Sequence, residues 1–244
     1  MTATAPTPAT SFTALALALA ACLLAAPAAR ADAAPTPGKT GPATEAVKKA
    51  NDALRAALKK MLSSKGADWD KARVDARNSV ASLLDFEALA ERTMGKHWKD
   101  RKPEEKKRYV AAMRSAMEAS YLSRMQGKVS VEEVKVDYLG ESEKDGNTVV
   151  ATRFIAGQDG AAIDYVMDKA PAKKQRAVDV ITEGISLSET YREQIDLVWP
   201  KKDFEGVVAT FEKKAKRFEA DLESKRGGAS GASGGAAAPA KVAQ

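Results

Sequence analysis

Apolar side chains recur every three to four residues through the first half of this chain. They alternate with polar ones through a middle stretch, then return to the helical spacing near the end. A chain cannot satisfy both periods with one kind of element, so the pattern demands helices, then strands, then helices. Val47, Ala50, Leu54, Leu58, Met61 and Leu62 predict a helix over Thr44 to Leu62, with Lys48, Lys49, Arg55 and Lys59 on its other faces. Ser63 to Ala67 breaks it, and a second helix covers Asp70 to Leu83. From Asp85 onward, Phe86, Leu89, Ala90, Met94 and Trp98 fall on one side. Pro103-Glu104-Glu105 suits a helix start, and Tyr109, Met113, Met117 and Tyr121 then step by four towards Met125.

The middle stretch begins where Val134, Val136 and Tyr138 alternate with Glu133, Lys135 and Asp137. Asp145-Gly146 marks a turn, and Thr148 to Ala156 is rich in strand-forming residues. Gly157 to Gly160 turns the chain again, Ile163 to Met167 alternates around Asp164, and Arg176 to Thr182 follows a loop. This predicts an antiparallel meander of about four strands. Ser186-x-x-Glu189 is a capping-box pattern opening a helix with Leu187, Tyr191, Ile195 and Val198, which ends before Pro200. A last helix from Asp203 carries Phe204, Val207, Val208, Phe211, Phe218 and Leu222. The expected class is α+β, with helices packed on one face of a curved antiparallel sheet.

The two ends read differently. Phe12 to Ala26 is apolar but too short to span a bilayer, and Ala29-Arg30-Ala31 has the small-x-small form of a cleavage site. Residues 1–31 are therefore expected to be a secretory signal peptide, 32–43 a linker, 44–223 one domain and 224–244 a low-complexity tail of Gly, Ala and Ser. Leu19-Ala20-Ala21-Cys22 also has the look of a lipobox, which leaves a lipoprotein anchored through Cys22 as a second reading. With the signal removed at Ala31 no cysteine remains, so the core must hold the fold without a disulfide. The formal charge of +6, less the single charge of Arg30 in the targeting segment, gives +5. For an exported protein this favours anionic lipid head groups or acidic partner surfaces and argues against nucleic acid.

The sequence offers little for catalysis. His97 is the only histidine, has no marked nucleophile or carboxylate partner nearby, and reads as a surface or capping residue. No metal-ligand spacing, G-x-S-x-G, P-loop or G-x-G-x-x-G occurs, and Gly157-x-x-Gly160 is a hairpin turn. Asp164, Asp179 and Arg153 are the polar candidates for a reactive pocket, and all three are expected to face solvent from the strands. No enzyme, metal or cofactor is expected.

Three stretches have a familiar form. Leu84-Asp85-Phe86-Glu87-Ala88-Leu89-Ala90, followed by Met94-Gly95-Lys96-His97-Trp98, is similar to an "FDF…LGRHW" segment, with Pro103-Glu104-Glu105 in the place of "TPEQ" and Tyr121 in that of a helix-ending Tyr. Val178-Asp179-Val180-Ile181-Thr182-Glu183-Gly184-Ile185-Ser186-Leu187 is similar to "DV..EGVSL", and Tyr191-Arg192-Glu193-Gln194 to "YRSQ". In this order behind a signal peptide, they resemble the MlaC family, also called the toluene-tolerance family of periplasmic phospholipid-binding proteins. Departures are Gln175 or Arg176 where the family carries Trp, Lys102 for the usual Thr or Ser cap, and Ile195 where an aromatic is common.

The resemblance implies a nuclear-transport-factor-like cone, a curved sheet with helices around a deep apolar cavity. It implies a periplasmic, monomeric carrier shuttling phospholipid between an inner-membrane ABC transporter complex and an outer-membrane lipoprotein–porin complex, which maintains outer-membrane lipid asymmetry. The residues expected at the lipid are Phe86, Met94, Trp98, Met113, Met117, Tyr121, Val136, Tyr138, Val149, Ala151, Ile163, Tyr165, Val180, Leu187 and Tyr191. Met125 and Met167 join the other methionines as adaptable fillers. Tyr191 is expected at the cavity and Arg192 at the helix–sheet junction, the alternative being an Arg192 paired with Glu189 or Glu193. The same pattern suits side chains that simply pack together, and a periplasmic chaperone for outer-membrane proteins is the alternative function.

Overall fold

Among the described residues, five α-helices, one 3-10 turn and five strands follow in the order the periods require. The structure is a computed structural model that describes residues 38–125, 131, 133–156, 159–169 and 175–225. The expected signal peptide, Cys22, the first half of the linker, the tail beyond 225 and the Met125 side chain lie outside the described residues.

Helix α1, Pro42–Ser63, opens with proline at its first turn and buries Val47, Ala50, Leu54, Leu58 and Met61. It starts two residues ahead of the expected Thr44. Helix α2, Gly66–Leu83, packs along α1 and buries Trp69, Ala72, Ala76, Val80 and Leu83. Its start lies four residues ahead of the expected Asp70. Helix α3, Phe86–Met94, is capped by Asp85, whose carboxylate accepts from the backbone N–H of Glu87 and Ala88 at 3.1 Å each. A 3-10 turn, Gly95–His97, leads to helix α4, Pro103–Met125. Helix α5, Leu187–Lys225, lies along α4 and against α3, and is bent at Asp203, whose φ of 48° is not helical. Arg73 and Arg77 of α2 reach Glu219 of α5, so the helices are also tied by ion pairs.

The sheet is a single antiparallel meander in the order β1-β2-β3-β4-β5. Strand β1 is Val134–Lys144, β2 Asn147–Ala156, β3 Asp159–Met167 and β4 Ala177–Thr182. The fifth strand, β5, is Ile185–Ser186, one more than expected. Two residues are too few to show an alternation, which is why the sequence hides it. It pairs back on β4 across the Glu183-Gly184 turn, where both residues have positive φ. Register shifts at Tyr138/Gly140 and Val166/Met167 bend the sheet at two places. At the first, Gly140 has φ 114° and the Gly38 backbone runs directly against it.

One face of the sheet and the helices enclose a continuous apolar interior. A smaller cluster of Val149, Val166 and Val178 lies apart from it, with Ala88 of α3 and Ile181 packed against it. None of the described helices is long and apolar enough to cross a membrane.

Candidate functional site

Strand alternation sorts the interior before any ligand is considered. Val150, Ile163, Tyr165, Met167 and Val180 join the main interior, with Phe154 and Tyr138 packed against it. Phe86, Met94 and Trp98 come to the same interior from α3 and the turn after it, Met113 from α4, and Leu187 and Tyr191 from α5. Met117 and Tyr121 of α4 are half-buried against it. Val136, also half-buried, stands opposite Phe154 in the β1–β2 register.

Val149 and Ala151 are corrections. Val149 belongs to the separate cluster with Val166 and Val178. Ala151, two residues on and opposite Asp164, shares that face. Strand β2 is apolar on both sides, so its composition gives no parity and only the pairing register does.

Asn51 belongs to the site and was missed. It stands four residues after Val47 and three before Leu54, so it interrupts the buried stripe of α1. A lone amide on an otherwise apolar stripe was the available signal. Its Nδ2 donates to the Tyr138 hydroxyl at 3.3 Å. Burial pushes the phenols of Tyr121 and Tyr165 well above the ordinary tyrosine value, and raises that of Tyr138. A second hydroxyl pair lies deeper between α3 and α4. Tyr109 Oη and Thr93 Oγ1 are 2.8 Å apart, and Thr93 also donates to the Ala90 carbonyl at 2.9 Å. Tyr109 packs edge-on to Phe211, whose ring is also 5.6 Å from Tyr191.

The polar residues considered for chemistry point elsewhere. Arg153 and Asp164 share the sheet face of Val149, away from the main interior, and Asp179 pairs with Val166 on that same face. Asp179 does not face solvent as expected. It is 5% exposed. It accepts from the backbone N–H of Val180 at 2.8 Å and of Ser188 at 3.0 Å, and from the hydroxyls of Ser186 at 2.6 Å and Ser188 at 2.7 Å. Asp164 is half-buried, which raises its carboxyl above the usual range.

His97 gains a partner from far along the chain. Its Nε2 lies 2.8 Å from Asp196 Oδ1, and its ring stacks on Trp199 with centroids 3.8 Å apart. Lys96 Nζ reaches the same carboxylate at 3.1 Å. The histidine clips the 3-10 turn to α5 rather than standing alone on the surface. Arg192 lies over Gly95 of the 3-10 turn with its methylenes and reaches Glu189 at 3.6 Å, the pairing of the alternative reading.

The interior therefore carries aliphatic, aromatic, hydroxyl and amide groups. Its phenols are held neutral by burial, and among the described residues no group of three or more His, Cys, Asp or Glu gathers there as a metal site. Such a surface suits binding of an apolar molecule with a few polar oxygens.

The family model described as MlaC protein matches residues 48–213. The chain belongs to the MlaC family. All three motif stretches lie within the matched span. Among solved structures, the fold of this MlaC protein is similar to that of a phospholipid-binding protein from Ralstonia solanacearum, determined in complex with a phospholipid. The two agree with a TM-score of 0.62 at 21% identity, covering 72% of this chain and 98% of that one. A comparison with the curated proteins gives no match.

Proposed function

We propose that this chain is a periplasmic phospholipid carrier rather than an enzyme, and that its acyl chains lie in the interior between the helices and one sheet face. The observation that carries this reading is that the helices and one sheet face turn their apolar side chains into one continuous interior, against which the large side chains of Met117, Tyr121, Tyr138 and Phe154 are only half-buried. Large side chains left partly uncovered along an otherwise buried apolar interior are what a hollow produces. Membership of the MlaC family and the phospholipid in the Ralstonia protein of similar fold support the choice of ligand.

The energetics suit a shuttle. Each buried tail methylene contributes about 0.8 kcal/mol relative to water. About thirty of them would exceed the ceiling of non-covalent affinity near 20 kcal/mol. The lipid comes from a bilayer that already shelters its tails, so the pocket need only match the membrane. Net transfer then lies near zero and loading is reversible without chemistry. We infer the donor and acceptor to be an inner-membrane ABC transporter complex and an outer-membrane lipoprotein–porin complex.

Transfer between two vesicle populations tests this. Labelled phospholipid should move from donor to acceptor vesicles at a rate proportional to protein concentration, and be recovered chemically unchanged. A protein that leaves that rate unaltered but keeps unfolded outer-membrane proteins from aggregating would be a chaperone, and the carrier reading would fail.

A further inference from the structure

Leu197 is the most exposed large apolar side chain among the described residues, at 77%. It opens the run Leu197-Val198-Trp199-Pro200, which Lys201 and Lys202 follow directly, just before the bend of α5. Val198 and Trp199 are half-buried, while Pro200 and both lysines are exposed. The turn after α3 is pinned against this stretch. His97 stacks on Trp199 at 3.8 Å, and the Arg101 guanidinium lies 5.7 Å from the Trp199 ring and 5.5 Å from that of Phe204. Lys99 and Lys102, on either side of Arg101, therefore stand beside the stretch that holds Lys201 and Lys202. These four lysines are exposed, and among the described residues none of them has an ion pair. Residues 96–102 and 196–203 hold six Lys or Arg against three Asp, a net +3 in a chain of +6. Two of the acids are already engaged: Asp196 by Lys96 at 3.1 Å, and Asp203 by the backbone N–H of Glu205 and Gly206. The other exposed apolar side chains lack this setting. Ile185, 64% exposed, lies between Glu183 and Glu189, and Val74, 51% exposed, between Arg73 and Asp75. Helix α1 is also rich in lysine, but its Leu54, Leu58 and Met61 are buried.

We propose that Leu197 and Trp199, with Lys99, Lys102, Lys201 and Lys202 around them, form a docking surface for an anionic phospholipid bilayer. This rests on the carrier reading above and adds to it the place where the carrier meets a membrane. Unpaired lysines are drawn to the negative charge of lipid phosphates, and an exposed leucine sinks into the boundary between head groups and acyl chains. An indole beside it suits the same depth. The contacts of His97 with Trp199 and Asp196 hold the two basic stretches together, so the lysines act on one surface rather than two. Glu193 lies one turn before Leu197, which leaves the lysine end of this half of α5 as the end that faces the bilayer.

Co-flotation with vesicles tests this. One set of vesicles is phosphatidylcholine alone and the other holds a third phosphatidylglycerol. The protein should float with the second set, less so in high salt, and hardly at all with the first. Lys201→Gln with Lys202→Gln should weaken that binding by roughly tenfold or more, the weight of two basic side chains at an anionic surface. Leu197→Ser should weaken it by roughly threefold to tenfold, the loss of one partly inserted side chain. Lys48→Gln with Lys49→Gln removes the same charge from exposed positions of α1 and should weaken it far less. All of these side chains are exposed, so the melting temperatures should stay together. Wild-type protein that floats with neither set, as one that docks only on a protein partner would, overturns the surface. So does equal loss from the α1 and α5 lysine pairs, or full binding by Leu197→Ser. Lipid extracted from the same samples reads the carrier separately. Protein that holds phospholipid but does not float leaves the carrier standing without this surface, and protein that floats but never acquires phospholipid overturns the carrier reading instead.

Discussion

Between the Val178 and Val180 side chains, Asp179 holds the junction of sheet and last helix. Its four hydrogen bonds, to two backbone N–H groups and two serine hydroxyls, fix the turn into β5 and the first residues of α5. That gives a physical reason for the Asp and Ser spacing of the second motif: Asp179 is structural and lies on the sheet face away from the main interior, while Val180 and Leu187 of the same stretch turn into it. Removing the carboxylate would leave the Ser188 N–H and two hydroxyls buried without it. Asp179→Ala should cost about 3 kcal/mol, and lower the melting temperature by about 10 °C for a domain of this size. Scanning calorimetry measures this, and a fall of under about 2 °C would contradict the role. The capping Ser186 was readable in the sequence, and its hydroxyl accepts from Glu189 N–H at 3.1 Å. The burial of Asp179 was not readable, because an aspartate in an alternating strand looks the same whether water or serine satisfies it.

Two elements turn on local geometry. In β1 the bulge at Gly140 admits the chain before α1, where Gly38 N–H donates to the Leu139 carbonyl and Glu141 N–H to that of Lys39. Glu141 then accepts from Thr44 N–H at 2.6 Å, so a strand side chain caps the first helix. A Cβ on Gly140 would overlap the Gly38 backbone at a φ of 114°. A Cβ on Gly184, at φ 79°, would meet open space. Gly140→Ala should therefore cost several times as much as Gly184→Ala, whose strain alone is about 1 kcal/mol. Equal losses in denaturant titrations would contradict this account of the bulge. Helix α5 divides at Asp203, as the two expected helices imply. There the Asp203 carboxylate re-caps the chain by accepting from Glu205 N–H at 3.0 Å and Gly206 N–H at 3.3 Å. Nearby, burial works against the charge of Asp196, but hydrogen bonds from Lys96 and His97 outweigh it and hold the carboxyl below its ordinary value of 3.8. A depressed carboxyl stabilises the fold above that value and loses the contribution as pH falls through the folded one. Asp196→Asn should flatten the acid limb of a melting-temperature profile below about pH 4. An unaltered acid limb would show that the clip between the 3-10 turn and α5 does not depend on charge.

At the scale of the molecule, hydrophobic period carried the helix–sheet–helix order, because core burial imposes those periods on any sequence that folds this way. It could not carry parity within β2, where valines occupy both faces, nor the partner of His97, which arrives from α5. It also could not separate a filled interior from a hollow one, since both are lined by the same residue types. Most of the expected lipid contacts do meet in one interior, with Val149 and Ala151 on the other sheet face. Whether that interior holds fatty chains is the claim on which the functional account stands. Native mass spectrometry of the gently purified protein tests it directly. The account predicts a complex heavier than the bare chain by one phospholipid, released intact on extraction and missing from Tyr191→Glu, which places a carboxylate among the apolar residues beside Phe211. Wild-type protein that is folded, lipid-free and unable to gain that mass from phospholipid vesicles would contradict it.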